Sequence, residues 1–509
     1  MNQIGDTQIL NQLWLTLFLL IPIVLISRTV VAGTRYSPIL IIVIFGLTMG
    51  LILVKTGVAT PGLTELPVVD LLSKVTITAL IVSFFVGGQE LKKLLSGNKA
   101  EIDDIVILSE EEVILGTKRT QLVFLIRAFF ILLGIEGVRR IIIGYSPQDP
   151  LASFYPLIAY IGLVGAVILI DNKATIKNKR WYIYKGILEI AVILFVLIGS
   201  HYIAQCIRPL IALPQIFFAM ILSSILGAIM SKWKFGPTIR ALLFSGIPVV
   251  LAANFMVGGS RILDAFKISG MTPIMTYGLF GQLFWMFGGI TLLILFGMAN
   301  HVRNLAPGMA GSLSHSGLTG ACTAGDLGSK AASRAPIMIN VPFFGHVFVF
   351  SILAASAGRG SLLMPWAIMI ASIGIILTVI SLKTLRKAKG DESKEVKGLM
   401  QFSFGWQLTA VFLGFLILHF SGMSVGHAAM AQSSSISHFG LFAAIQGGMF
   451  GEQAAELISF IFAMPFLIHP LVFGMFGKAM ENDGEMPKRT AYILGAIGLV
   501  GIVYSLVFA

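Results

Sequence analysis

The sequence predicts an all-α, polytopic membrane protein. Of its 509 residues, 56% are hydrophobic and only 12% are charged, whereas soluble domains carry about 25% charged residues. The mean hydropathy is +0.90. Apolar stretches close to the ~20 residues that cross a bilayer recur along the whole chain. A surface with so few charges would not keep a protein of this size dissolved in water.

Fourteen such stretches are predicted to cross the membrane. They cover about 8–27, 36–55, 68–89, 121–138, 151–170, 186–207, 210–230, 241–257, 273–298, 336–357, 364–382, 405–420, 453–476 and 490–508. Lys and Arg concentrate in the loops at 92–119, 173–185 and 383–397. Because basic loops remain cytoplasmic, this topology places both termini outside the cell, and we expect a multi-pass protein of the bacterial inner membrane.

The same basic loops account for the formal net charge of +12 without a nucleic-acid partner. Two cysteines, Cys206 and Cys322, make a disulfide framework or a cysteine metal site improbable. The chain has no Walker-type phosphate loop, nucleophile elbow or His-Glu-x-x-His motif. These absences argue against an enzyme, and no cofactor is expected.

A segment at 305–326 is rich in Gly, Ser and Thr. If it crossed the membrane fully, the basic loop at 383–397 would lie outside, so the charge distribution favours a re-entrant segment. Irregular backbone at membrane depth is tolerated where it is buried in protein or lines a wet cavity. The alternative is close helix packing, in which small residues are the usual contacts.

Two stretches, 81–90 and 251–260, resemble each other around Val-Gly-Gly. Five predicted crossings separate them, and this odd number means that the copies face opposite ways across the membrane. Inverted repeats are typical of secondary transporters, which bind substrate near the midplane. The sequence thus predicts two inverted five-helix repeats with a broken or re-entrant helix, over 1–185 and 186–357, followed by additional transmembrane helices over 358–509.

The Gly-rich segment supplies the candidate substrate site. Its hydroxyls, freed backbone groups and imidazole can replace the hydration shell of a carboxylate or Na⁺, and the predicted substrate-binding residues are Ser314, His315, Ser316, Gly317, Thr319, Gly320 and Thr323. The predicted ion-binding residues are Asn254, Gly258, Gly259 and Asp326. Asn254 lies mid-span between Pro248 and two glycines, which predicts local unwinding of that helix.

These residues resemble the sodium/glutamate symporter family. The similarity covers about 36–90 and 186–350 and rests on Pro38, Val86-Gly87-Gly88, Leu213-Pro214 and above all Ser314-His315-Ser316-Gly317-Leu318-Thr319-Gly320. The resemblance implies that substrate and Na⁺ bind where helices are unwound or re-entrant. The chain departs from the family near 144–147, where a Gly-His-Gly stretch is missing, and after position 355, where no counterpart is found.

The leading hypothesis is Na⁺-coupled symport of a small carboxylate such as glutamate. A cation/proton antiporter is the alternative, and a membrane-embedded enzyme or scaffold is an alternative of another class. The C-terminal histidines His419, His427, His438 and His469 are interpreted as packed or interfacial residues. The expected partners are an anionic small molecule, Na⁺, the lipid bilayer and a second copy in a homodimer.

Overall fold

The computed structural model describes residues 6–31, 38–95, 118–146, 148–169, 179–208, 213–296, 300–323, 326–388 and 391–507, and every regular element in these ranges is a helix. The N-terminal helices are α1 (Asp6–Val31), α2 (Ile39–Lys55), α3 (Pro67–Lys74), α4 (Thr76–Leu95), α5 (Lys118–Ile143), α6 (Tyr155–Ile168), α7 (Lys179–Ile207), α8 (Gln215–Ile229), α9 (Pro237–Ala241), α10 (Ile247–Ser260) and α11 (Ile262–Ala265). The parts of the basic loops at 96–117, 170–178 and 389–390 lie outside the described residues.

The C-terminal helices are α12 (Met271–Leu295), α13 (Val302–Leu313), α14 (Ser316–Thr323), α15 (Ser329–Phe343), α16 (His346–Arg359), α17 (Met364–Lys387), α18 (Glu392–Phe420), α19 (Val425–Ser435), α20 (Phe439–Gln446), α21 (Glu452–Ala463), α22 (His469–Glu481) and α23 (Lys488–Val507). A π-helical turn at Leu242–Gly246 joins α9 to α10. A 3₁₀ turn at Met464–Ile468 joins α21 to α22.

The apolar stretches are helical, which confirms an all-α polytopic membrane protein. Within the described part of the chain, ten helical segments are long and apolar enough to cross a membrane. The other predicted spans correspond to the pair α15–α16, bent by 48°, and to three shorter apolar helices, α2, α6 and α8. The fourteen predicted stretches are therefore helical, but hydropathy did not distinguish full-length spans from short or bent ones, and α19 and α20 lie outside the predicted stretches.

In the N-terminal part, α2 packs on α10 and α4 packs on α8. Both pairs touch through glycine. A Cβ on Gly50 would lie 2.0 Å from the carbonyl oxygen of Met256, and a Cβ on Gly227 would lie 2.0 Å from that of Phe85. Backbone contact of this kind admits no side chain. Met256 and Phe85 lie at equivalent positions of the two Val-Gly-Gly stretches, so each stretch meets its neighbour in the same way.

In the C-terminal part, α12 packs against α23, and α17 packs against α18. Two short helix pairs, α13–α14 and α19–α20, lie between these long helices. Each pair is interrupted at a serine with a positive φ, 49° at Ser314 and 50° at Ser437. A positive φ is uncommon outside glycine, so both helices stop there, and the chain restarts as a helix after the following histidine.

Candidate functional site

The breaks in the two helix pairs lie against each other. His315 and His438 form an antiparallel β-bridge. The backbone N–H of Ser316 donates to the carbonyl of Ser437 at 3.1 Å, and the N–H of Phe439 donates to the carbonyl of Ser314 at 3.3 Å. A broken helix leaves backbone donors and acceptors without intrahelical partners. Here each break supplies partners for the other.

The two breaks also have the same sequence pattern. Residues 312–318 read Ser-Leu-Ser-His-Ser-Gly-Leu, and residues 435–441 read Ser-Ile-Ser-His-Phe-Gly-Leu. In both, the histidine caps the helix that follows: Nδ1 of His315 accepts from the N–H of Leu318 at 3.1 Å, and Nδ1 of His438 accepts from the N–H of Leu441 at 3.0 Å. This bond fixes the proton of each neutral ring on Nε2.

A glutamine from α12 joins the two breaks at one side. The amide Nε2 of Gln282 lies 2.7 Å from Nε2 of His315, 2.9 Å from Oγ of Ser437 and 3.2 Å from Nε2 of His469. The rings of His315 and His469 stack with their centroids 5.1 Å apart. We refer to Gln282, His315, Ser437 and His469 as half-site A.

A glutamine from α18 repeats this arrangement at the other side. The amide Nε2 of Gln407 lies 2.9 Å from Oγ of Ser314 and 3.4 Å from Nε2 of His438. Nε2 of His438 is 3.1 Å from Nε2 of His346, and the two ring centroids are 4.8 Å apart. We refer to Gln407, His438, Ser314 and His346 as half-site B. Each glutamine thus contacts the histidine of one break and the serine of the other.

The outer histidines also occupy equivalent positions. His346 begins α16 after the 48° bend between α15 and α16, and His469 begins α22 after the 3₁₀ turn at Met464–Ile468. Both follow the pattern Pro-Phe-x-x-His, at 342–346 and at 465–469. Proline removes a backbone donor and interrupts a regular α-helix, and each interruption is followed by an imidazole that lies beside the crossing. The two half-sites are therefore duplicated in their sequence motifs as well as in their contacts.

All eight half-site side chains are buried, with at most 2% of their surface exposed. Nevertheless, seven buried polar atoms in and around the crossing have no hydrogen-bond partner: Oε1 of Gln282 and Gln407, Nδ1 of His346 and His469, and Oγ of Ser316, Ser433 and Ser434. Buried polar groups are normally paired, and an unpaired one costs about 1–3 kcal/mol. Such a concentration is typical of a place that receives a polar ligand or water.

The structure brings part of the predicted substrate site into this crossing. Ser314 and His315 belong to the half-sites, and the unpaired hydroxyl of Ser316 is adjacent to them. A Cβ on Gly317 would lie 2.4 Å from Cε1 of His469, so glycine allows that ring to approach. The backbone N–H of Thr319 donates to the carbonyl of His315 at 2.9 Å.

The last two predicted substrate residues lie further along α14. Gly320 faces α2, where a Cβ would meet Ile39 Cδ1 at 2.8 Å. The side chain of Thr323 lies outside the described residues. The described contacts therefore place the beginning of α14 at the crossing and the later part of this helix against the N-terminal half of the molecule.

The predicted ion-binding residues are not among the half-site partners. The amide of Asn254 donates to the carbonyls of Ser73 at 3.1 Å and Val250 at 3.0 Å, and its oxygen accepts from Gln446 at 3.2 Å. Because α10 is continuous from Ile247 to Ser260, the prediction of local unwinding at Asn254 is wrong. Its partners hold the amide in regular helix.

The remaining ion-binding candidates also lie away from the crossing contacts. A Cβ on Gly258 would lie 2.7 Å from the carbonyl oxygen of Ser459, and a Cβ on Gly259 would lie 2.1 Å from that of Leu47. Both glycines therefore lie at close helix contacts. Asp326 follows the end of α14, and its Oδ2 is buried without a hydrogen-bond partner.

Sequence reasoning missed Gln282, Gln407, His346, His438 and His469 as members of one group. The signal was present in the chain, because the Ser-x-Ser-His-x-Gly-Leu and Pro-Phe-x-x-His patterns recur at the same interval, from 315 to 438 and from 346 to 469. The two glutamines lie in long apolar helices, where a single amide does not reveal its partners. A comparison of the chain with itself over residues 271–507 would have found the histidines.

No protein-family model, curated protein or solved structure matches this chain. The chemistry of the crossing is that of neutral polar groups: amides, hydroxyls and imidazoles. Among the described residues, no group of three or more His, Cys, Asp or Glu side chains is arranged to hold a metal ion.

Proposed function

We propose that the chain is a secondary active transporter that couples Na⁺ entry to uptake of a small carboxylate, of the type found in the sodium/glutamate symporter family. The observation that carries the proposal is the crossing of two broken helices, buried among long apolar helices and surrounded by unpaired polar atoms. Discontinuous helices of this kind form the substrate and ion sites of secondary transporters. Glutamate is the substrate that the family resemblance suggests.

The helix ends at the crossing suit both ligands. The helices α14 and α20 begin there, and their N-terminal ends carry partial positive charge that favours a carboxylate. The helices α13 and α19 end there, and their carbonyl ends favour a cation. An anion and Na⁺ bound side by side would each lower the cost of burying the other's charge.

Two pairs of repeats support an alternating-access mechanism. In the N-terminal part, the contact of Gly50 with Met256 is equivalent to that of Gly227 with Phe85. In the C-terminal part, half-site A is equivalent to half-site B. We propose that both pairs are inverted repeats and that the chain crosses the membrane fourteen times, counting short and bent helices as spans. The α19–α20 pair is then a second re-entrant element, so 358–509 belongs to the transport unit.

Uptake into proteoliposomes tests the proposal. Purified protein should accumulate labelled glutamate or another small carboxylate when an inward Na⁺ gradient is imposed, and a K⁺ gradient of equal size should give none. Gln282→Leu, which removes the amide from half-site A, should abolish uptake, whereas Gln453→Leu at an exposed position should not. Exchange driven by a pH gradient alone would indicate a cation/proton antiporter. Absence of carboxylate uptake under every gradient would reject the proposal.

A further inference from the structure

The hydrogen bonds of His315 determine which end of the Gln282 amide faces it. Because Nδ1 of His315 accepts from Leu318, its Nε2 carries the proton and is a donor. A donor at 2.7 Å requires an acceptor, so the amide atom at this position must be oxygen rather than nitrogen. The two ends of an amide are assigned from the hydrogen-bond network. With oxygen there, the hydroxyl of Ser437 and Nε2–H of His469 can donate to it as well.

The same reversal fits Gln407. Nε2 of His438 is a donor because its Nδ1 accepts from Leu441, and its nearer acceptor is Nε2 of His346 at 3.1 Å. By analogy with half-site A, we assign the amide oxygen of Gln407 to the position that accepts from the hydroxyl of Ser314 at 2.9 Å. The ends of both amides that have no partner are then NH₂ groups. Each half-site therefore presents one buried, unpaired amide donor, and a buried donor without a partner points to an anion or water.

The half-sites contain no acidic side chain that would pair with an ammonium group. Their eight side chains are glutamines, histidines and serines, and none is acidic. The two capped histidines use their Nε2 protons within the half-sites, which leaves the amide NH₂ groups as donors for a ligand. Two amide donors, one in each half-site and related through the β-bridge between His315 and His438, suit a ligand with two anionic ends.

We propose that the substrate is a dicarboxylate without an ammonium group, and that half-sites A and B each bind one of its carboxylates through a glutamine NH₂. This inference rests on the proposed transport function and narrows it. No cationic side chain belongs to either half-site, so the two negative charges must be compensated by the co-transported Na⁺. Glutarate, which is glutamate without its amino group, is then the better ligand of the two.

A comparison of these two ligands tests the inference on the unmodified protein. In calorimetry on the purified full-length chain in Na⁺ buffer, glutarate and succinate should bind at least tenfold more tightly than glutamate, and butyrate, with one carboxylate, should bind weakly. If glutamate binds as tightly as glutarate or more tightly, the inference is overturned while Na⁺-coupled transport stands. If no carboxylate binds or is taken up, the proposed function fails as well.

Gln282→Glu and Gln407→Glu test the amide assignment. A glutamate carboxylate still accepts from the histidine and serine donors, but it places a charge at a fully buried position, so both variants should fold and unfold at a lower temperature than the parent. Each replaces an NH₂ donor by a charged oxygen and should weaken glutarate binding at least tenfold. Gln453→Glu adds the same charge at an exposed position and should bind like the parent. Folded half-site variants with parental glutarate affinity would refute the assignment.

Discussion

Replacing Ser316 by alanine separates a binding role of the crossing from a structural one. The hydroxyl of Ser316 is buried and has no hydrogen-bond partner, while its backbone N–H is held by the carbonyl of Ser437. Ser316→Ala therefore removes no bond from the free protein, and the free energy of unfolding should stay level or rise slightly. If the hydroxyl binds a carboxylate, its loss costs about 1.5–3 kcal/mol, which is roughly a 10- to 150-fold loss of affinity.

Ser314→Ala is the matched control. Its hydroxyl contacts the amide of Gln407 at 2.9 Å, so its removal takes one hydrogen bond from that buried amide and should destabilise the fold by about 0.5–1.5 kcal/mol. Thermal unfolding and calorimetric titration with a carboxylate, in Na⁺ buffer, measure both quantities on each variant. Parental affinity in Ser316→Ala would refute the reasoning that the unpaired hydroxyl receives the ligand.

Two further predictions concern packing. Gly259→Ala should lower the free energy of unfolding by about 1–3 kcal/mol, because its Cβ would lie 2.1 Å from the carbonyl oxygen of Leu47. The control is Gly199→Ala, whose Cβ would have its nearest neighbour 3.5 Å away. This variant should leave the melting temperature level or raise it. Cys322 is buried and Cys206 is exposed, so a maleimide should modify Cys206 alone in the folded protein, and equal modification rates would contradict the packing of α14.

Hydropathy predicted the helices because burial in lipid imposes a long apolar run on each of them. The local composition, rich in Gly, Ser and Thr, predicted an irregular segment at 305–326, and the break after Leu313 lies inside it. Sequence reasoning failed at Asn254, where an amide between proline and glycine suggested unwinding. In the structure that amide bonds to Ser73 and Gln446 of other helices, and tertiary partners of this kind leave no trace in the local sequence.

The second break was harder to predict than the first. The stretch 425–446 is less rich in glycine than 305–326, so composition alone did not distinguish it from an ordinary loop between predicted spans. Its interruption at Ser437 is stabilised by the carbonyl and amide groups of the first break, and neither break would be satisfied without the other. The local sequence pattern therefore predicts the first break, whereas the second break can be recognised only by comparing the two repeats.

Inversion of the C-terminal repeats can be tested by labelling two equivalent positions from either side of the membrane. A residue with a positive φ follows the end of each of the helices α16 and α22. It is Gly360, with φ of 67°, after α16 and Asp483, with φ of 51°, after α22. Arg359 and Asn482 precede these residues and are exposed. In inverted repeats, equivalent positions lie on opposite sides. Because basic loops remain cytoplasmic, we expect the basic segment 383–397 to place Arg359 outside and Asn482 in the cytoplasm.

Single cysteines introduced at these two positions, in a protein that also carries Cys206→Ser, should therefore differ in the side of the membrane from which they can be labelled. With a membrane-impermeant maleimide, Arg359→Cys should be modified in intact cells, and Asn482→Cys only after the cells are opened. The exposed positions keep both substitutions away from the half-sites, so folding and uptake provide the control. Modification of both cysteines from one side would mean that the repeats are parallel. The helix ends of the two breaks would then face the same side, and the mechanism of alternating access through inverted repeats would be wrong.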